Sequence, residues 1–136
     1  MTNDLKVSPT HSGLIIQNSE KEYLLQMRDS GAVWEPLAWA FFGGKINDGE
    51  TPVTAAVREA AEELELSIDA ADLTEAAHFH YEPDGTEIFF YQYAKTVEWG
   101  DFRVHEGAGA GFFSFDELGQ LRVPPFTRYV VAHYFK

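Results

Sequence analysis

The segment from Thr51 to Leu66 constrains this chain more than any other part of its 136 residues. Thr51 is a good helix N-cap, and Pro52 suits the first helical position, where its missing N–H has no partner to lose. Val53, Ala56, Val57, Ala60 and Leu64 then recur at the helical period, an apolar stripe that needs a packed partner. The pattern predicts a helix to about Leu64 or Leu66. Glu59, Glu62 and Glu63 recur at i, i+3 and i+4 and share one arc of about 100°. They are expected together on the solvent side, with the stripe turned to the core. Like charges at this spacing cost a helix a few tenths of a kcal/mol. Only Arg58, one turn before Glu62, offers local compensation. Close carboxylates become favourable around a hard divalent cation, and Mg²⁺ takes oxygen ligands, commonly a couple of carboxylates plus substrate phosphates.

The rest of the chain supplies a sheet for that helix. His11 to Gln17 and Glu22 to Met27 read as strands joined by the polar turn Asn18 to Lys21. Trp39 to Phe42 is a further apolar run, which Gly43-Gly44 is expected to end. Ala77 to Glu82 and Glu87 to Val97 are β-rich, with Pro83-Asp84-Gly85-Thr86 as the hairpin turn. Glu106 to Gly111 reads as a glycine loop, Gly111 to Phe115 as a last strand, and Asp116 to Leu118 as a helical turn. Thr127 to Phe135, after Pro124-Pro125, suits a closing helix. The expectation is a single domain over residues 1–136, an α/β fold with a mixed sheet and helices packed on it.

Composition narrows the chemistry. There are 10 Lys and Arg against 22 Asp and Glu, a net charge of −12. A surface that acidic repels phosphate backbones, so no nucleic acid is expected as a partner. There are no cysteines, which removes disulfides, a thiol nucleophile and a thiolate metal site. The start of the sequence lacks the basic and apolar pattern of a secretion signal, and no apolar run approaches the ~18–20 residues that span a bilayer. A cytoplasmic protein with no membrane partner is expected.

From Gly44 the chain reads GKINDGETPVTAAVREAAEELEL. This resembles the Nudix box: Gly, five residues, Glu, seven residues, then Arg-Glu-U-x-Glu-Glu-x-Gly-U, with U a bulky aliphatic. Gly44, Glu50, Arg58, Glu59, Glu62, Glu63 and Leu66 match. Ala60 is small for the first U, and Glu65 replaces the box glycine. At a typical usage near ~7% per residue, six fixed matches arise by chance about once in 10⁷ windows. The flanking strands, late glycine loop and closing helix also suit the family's layout.

The resemblance implies a Nudix α/β/α sandwich, a mixed β-sheet between helices, and a box folded as loop–helix–loop that holds Mg²⁺ (or Mn²⁺) against a diphosphate. It implies Glu59, Glu62 and Glu63 as metal ligands, with Glu59 an alternative base, and the Gly43 carbonyl as a further ligand. Arg58 would orient the glutamates, with Glu50 in a structural role. Glu106, on the late loop, stands where the family often carries a further catalytic or metal-binding glutamate. Glu65 is expected either to let the helix run on or to adopt a strained left-handed turn.

The substrate side carries weaker signals. Arg28 follows a Leu-Leu strand and precedes Asp29, as in the family, and an Arg fork matches phosphate. Lys45 could screen phosphate. Trp34 and Trp39 flank the entry to the box and could stack a base. His78 and His80, at i, i+2 on a strand, read as ordinary strand histidines rather than a metal pair. The implied activity is Mg²⁺-dependent hydrolysis of the diphosphate bond in a nucleoside diphosphate linked to another group, either a nucleoside triphosphate-type substrate or an NDP-sugar. The alternative is a non-catalytic Nudix domain that binds a nucleotide or an ADP-ribose-like ligand as a sensor. The small partner is a nucleoside diphosphate derivative, and the protein a monomer or homodimer.

Overall fold

β-Branched and aromatic residues build the sheet, and polar turns separate its strands. The structure is a computed structural model that describes residues 10–28, 38–81, 85–105, 109–121, 123, 127, 128 and 132. Strands β1 (His11–Gln17) and β2 (Tyr23–Met27) meet at Gln17 opposite Tyr23. In the turn between them, the Asn18 side-chain oxygen accepts from the N–H groups of Glu20 and Glu22 at 3.0 and 2.9 Å. Next come β3 (Trp39–Lys45) and helix α1 (Pro52–Leu64). Strands β4 (Leu73–Tyr81), β5 (Thr86–Thr96) and β6 (Gly109–Phe113) and a short helix α2 (Phe115–Leu118) follow.

The six strands lie in the order β4-β5-β1-β3-β2-β6. β1 and β5 run parallel and the other neighbours antiparallel, so the sheet is mixed. Alternation along β1 divides the core. Leu14 and Ile16 pack with Leu24, Phe42 and the α1 residues Ala56, Ala60 and Leu64. Ile15 packs with Leu25, Phe41, Phe90 and Leu118 of α2. A helix therefore contributes to each side of the sheet, the α/β layering expected.

The strand boundaries depart from expectation most at β3, β4 and β6, and the last strand ends at Phe113, with Phe115 in α2. Gly43-Gly44 do not end β3: the ladder continues through Gly13 opposite Gly43, Ser12 opposite Gly44 and His11 opposite Lys45. Partner strand outweighs local propensity here. β4 begins at Leu73 rather than Ala77, because residues on both sides of a register shift at Glu75/Ala77 find partners on β5. β6 begins at Gly109, inside the expected glycine loop, where Gly109 and Gly111 pair with Met27 and Leu25. Of the expected β4–β5 turn, Pro83 and Asp84 lie outside the described residues, while Gly85 has φ 74°. Of the closing helix, Thr127, Arg128 and Ala132 are helical and the remainder lies outside the described residues.

Candidate active site

The site is built around the start and one flank of α1. Thr51 caps the helix, accepting the Thr54 N–H while Thr54 returns a bond to the Thr51 N–H. Ser12 of β1 gives its hydroxyl to the Pro52 carbonyl at 2.6 Å, which ties the helix entrance to the sheet. The expectation of three carboxylates on the solvent side is corrected. Glu59 and Glu63 are buried, 8% and 3% exposed, and only the Glu62 side chain, at 59%, is open to solvent. At about 100° per residue, Glu63 falls only ~20° from Ala56, so the acidic arc adjoins the apolar one instead of opposing it.

The two glycines of β3 meet the buried acids in different ways. Gly43 has φ 154°, and a Cβ there would run into the Ser12 carbonyl oxygen. Its N–H donates to Glu63 Oε1 at 3.2 Å. A Cβ on Gly44 would collide with the Glu59 carboxylate. Gly44 therefore leaves the space that the Glu59 carboxylate fills, and the Gly43 backbone holds Glu63.

Arg58 organises the remaining charge. Its Nε and Nη2 donate to the two Glu50 oxygens at 2.6 and 3.0 Å, a bidentate pair. Its Nη1 donates to Glu59 at 2.9 Å and to Glu62 at 3.0 Å, and its Nη2 also to the Lys45 carbonyl at 2.8 Å. The hydrogen bonds from Arg58, then that from the Asn47 N–H, hold the Glu50 carboxyl below its ordinary range. Its bond to Glu50 likewise pushes the guanidinium up, so Arg58 stays charged. Arg58 thus orients the glutamates from behind, and Glu50 orients Arg58.

Three carboxylates, those of Glu50, Glu59 and Glu62, share this one guanidinium, and Glu63 adds a fourth acid beside them. The donor chemistry suits a hard cation: carboxylate oxygens and a strand carbonyl at Gly43 that no side chain can cover. Among the described residues no three acidic or histidine side chains converge closely enough to hold an ion as they stand. The reason is visible: Arg58 Nη1 sits between Glu59 and Glu62, and Glu63 is turned onto the Gly43 N–H.

A cavity of about 290 Å³ adjoins this flank, with Gly43, Gly44 and Lys45 in its wall. The glycines that carry Glu59 and Glu63 thus also face the cavity. Arg28 and Lys45 both line it, together with Phe41 and Phe42. Trp39 does not line it; its ring packs edge-on against Phe113, with centroids 4.7 Å apart. Trp34 and Glu106 lie outside the described residues. Sequence reasoning missed Gln26, His11 and Ser12, which also line the cavity. For Gln26 a signal existed: it is the lone polar residue in the strand Tyr23-Leu24-Leu25-Gln26-Met27.

Glu65, in place of the box glycine, takes the left-handed conformation at φ 52°, ψ 35°. The helix ends at Leu64 instead of running on. The Glu65 N–H donates to the Ala61 carbonyl at 3.1 Å, the αL termination. The Glu65 carboxylate bonds His105 Nε2, and the N–H groups of Arg103 and His105 donate to the Leu64 and Glu63 carbonyls at 2.9 and 2.8 Å.

Known proteins resemble this chain in sequence and in fold. A family model of the NUDIX domain matches residues 8–134. An 8-oxo-dGTP diphosphatase of Haemophilus influenzae is 33% identical over 88 residues, 65% of this chain. That stretch is 63% of the relative, so less than two thirds of its length is matched. A MutT structure from work on Aliivibrio salmonicida and Vibrio cholerae superposes with a TM-score of 0.71 at 25% identity, over 92% of this chain and 98% of that one. The MutT protein of Methanosarcina mazei Go1 shares the fold, with a TM-score of 0.76 at 20% identity over 95% and 94% of the two chains.

Proposed function

The chain belongs to the Nudix family, and on that premise we propose that it is a Mg²⁺-dependent (or Mn²⁺-dependent) pyrophosphohydrolase acting on a nucleoside triphosphate-type substrate. The observation that carries this reading is the shared wall. Gly43 and Gly44 hold Glu63 and Glu59 on the helix side and line the cavity that contains Arg28 and Lys45. A diphosphate placed there lies between two cations of the chain and the carboxylates of α1. The matched relative is named for 8-oxo-dGTP, which makes an oxidised purine triphosphate the first substrate to try.

Each residue then has a task. Glu59, Glu62 and Glu63, with the Gly43 carbonyl and Glu106, would hold the metal. When bound, that metal neutralises phosphate charge and acidifies water. Arg28 and Lys45 take phosphate oxygens, Arg28 with a forked donor set. Arg58 keeps the glutamates aimed, and Glu59 or Glu106 accepts the proton of the attacking water, a contribution of about 10²–10⁴ in rate. Water adds to phosphorus, the bridging P–O bond breaks, and the leaving phosphate or pyrophosphate carries away the electron pair. We place this activity in the cytoplasm, where such nucleotides are made and used.

The test is a panel of nucleoside triphosphates, oxidised purine triphosphates, NDP-sugars and ADP-ribose, with Mg²⁺, with Mn²⁺ and with chelator, and with products identified. Chelator-sensitive conversion of a triphosphate to monophosphate and pyrophosphate is expected. Turnover confined to NDP-sugars or ADP-ribose would overturn the substrate class. Tight binding without turnover would overturn the hydrolase.

A further inference from the structure

β2 is an interior strand. Gln26 lies opposite Ala40 of β3 and Ala110 of β6, so its backbone sits between two ladders. The residue is only 6% exposed, its side-chain carboxamide makes no hydrogen bond among the described residues, and its polar atoms keep access to the cavity. An amide that opens on a cavity has a donor and an acceptor to offer a ligand there. Gln26 also lines the cavity. Arg28, two residues along and so on the same side of the strand, is in the same wall.

The other polar groups of that wall are committed or of the wrong chemistry. Ser12 gives its hydroxyl to the Pro52 carbonyl, and His11 Nδ1 meets the Thr10 hydroxyl at 3.1 Å. Arg28 and Lys45 are cations suited to phosphate. Gln26 alone among these brings an uncharged donor and acceptor side by side, in a wall to which Phe41, Phe42 and Phe90 also contribute. Aromatic walls suit the faces of a base, and an amide suits its edge.

Resting on the nucleotide reading above, we propose that Gln26 sets base specificity by pairing with the Hoogsteen edge of a purine where that edge offers a donor beside an acceptor. Adenine has such an edge at N6 and N7. On the same edge guanine has two acceptors, N7 and O6, and would leave the amide oxygen unpaired. Oxidation of guanine at C8 places a proton on N7 and recreates the donor–acceptor edge. A site built to hydrogen-bond rejects the analogue that lacks the matching group, because the buried amide is then left unpaired.

The experiment measures affinities for nucleoside 5′-monophosphates, which need no turnover, alongside kcat/KM for the triphosphates. It compares the native protein with Gln26→Met, which keeps volume, and Gln26→Glu, which keeps shape but loses the donor. Native protein is expected to rank bases by edge. Gln26→Met should weaken the preferred base by roughly 5- to 150-fold and narrow the spread across the panel, and Gln26→Glu should reorder the ranking. Unchanged ratios in both variants, an equal loss on every base, or no nucleotide binding by the native protein would overturn the assignment. A base-free deoxyribose 5′-triphosphate separates the two readings. If no triphosphate is hydrolysed, the hydrolase reading falls, and the monophosphate ranking still decides Gln26.

Discussion

Burial divides the three glutamates of α1 into unequal tools. Glu63 is almost wholly enclosed and anchored to the Gly43 N–H, whereas Glu62 is largely in solvent. Glu62→Gln should therefore leave stability within about 0.5 kcal/mol of the native protein, as surface changes do. Glu63→Gln keeps its shape and can still accept from Gly43. Both variants should lose metal-dependent pyrophosphate release by at least ~100-fold, and turnover equal to native in either would remove that glutamate from the metal set. Arg58 is the opposite case, a residue whose loss strands others. Arg58→Ala removes the counter-charge of Glu50, Glu59 and Glu62 at once. The expected cost is about 2–4 kcal/mol in denaturant unfolding, because charged hydrogen bonds are lost around a buried carboxylate. Glu50 gives this network a pH signature. Its folded value lies below the ordinary one near 4.5, so its contribution is full above that value and fades as pH falls through the lowered one. The native protein should lose stability over that acid window more steeply than Glu50→Gln, as acid titration followed by circular dichroism would show.

At the scale of elements, the end of α1 offers the clearest prediction. Glu65 holds a left-handed conformation that costs a non-glycine residue about 1 kcal/mol. Its exposed pair with His105 returns only a fraction of that. Glu65→Gly should raise Tm by about 2–4 °C, and a fall in Tm would show that the His105 pair outweighs the strain. This helix was the most legible element of the sequence, since its cap, first-turn proline and stripe are all local signals. Its orientation was not legible: the burial of Glu59 and Glu63 depends on Gly43 and Gly44 across the sheet, a contact no periodicity reports. The same holds for the strands. β1 and β2 followed from short apolar runs with a polar turn between them, whereas the continuation of β3 through two glycines and the start of β6 at Gly109 were decided by partner strands. Within the cavity, Arg28 and Lys45 were legible from their place beside Leu-Leu and Gly-Gly. Gln26 was visible as the lone amide of an apolar strand, but its meaning comes from the cavity it lines, which the sequence does not show.

For the whole molecule, the charge of −12 and the enclosed carboxylates describe one electrostatic condition. Self-repulsion opposes the compact state, and it is concentrated where Glu59 and Glu63 are held against Gly44 and Gly43. Monovalent salt screens the general surface over a Debye length of about 8–10 Å and should stabilise the protein modestly. A divalent cation bound at the α1 flank acts differently, since it binds the folded state alone and stabilises by mass action, about 2.7 kcal/mol at a hundred times its Kd. Arg58 must partly yield its hold on Glu59 and Glu62 for this to happen, so the observed gain is reduced by that rearrangement. The substrate-free protein should therefore show a rise in Tm with Mg²⁺ beyond that in KCl of equal ionic strength. The excess should vanish in Glu63→Gln while the shift in KCl persists. An equal response to both salts in the native protein would mean that its acidity serves the surface only and that the carboxylates of α1 gather no ion.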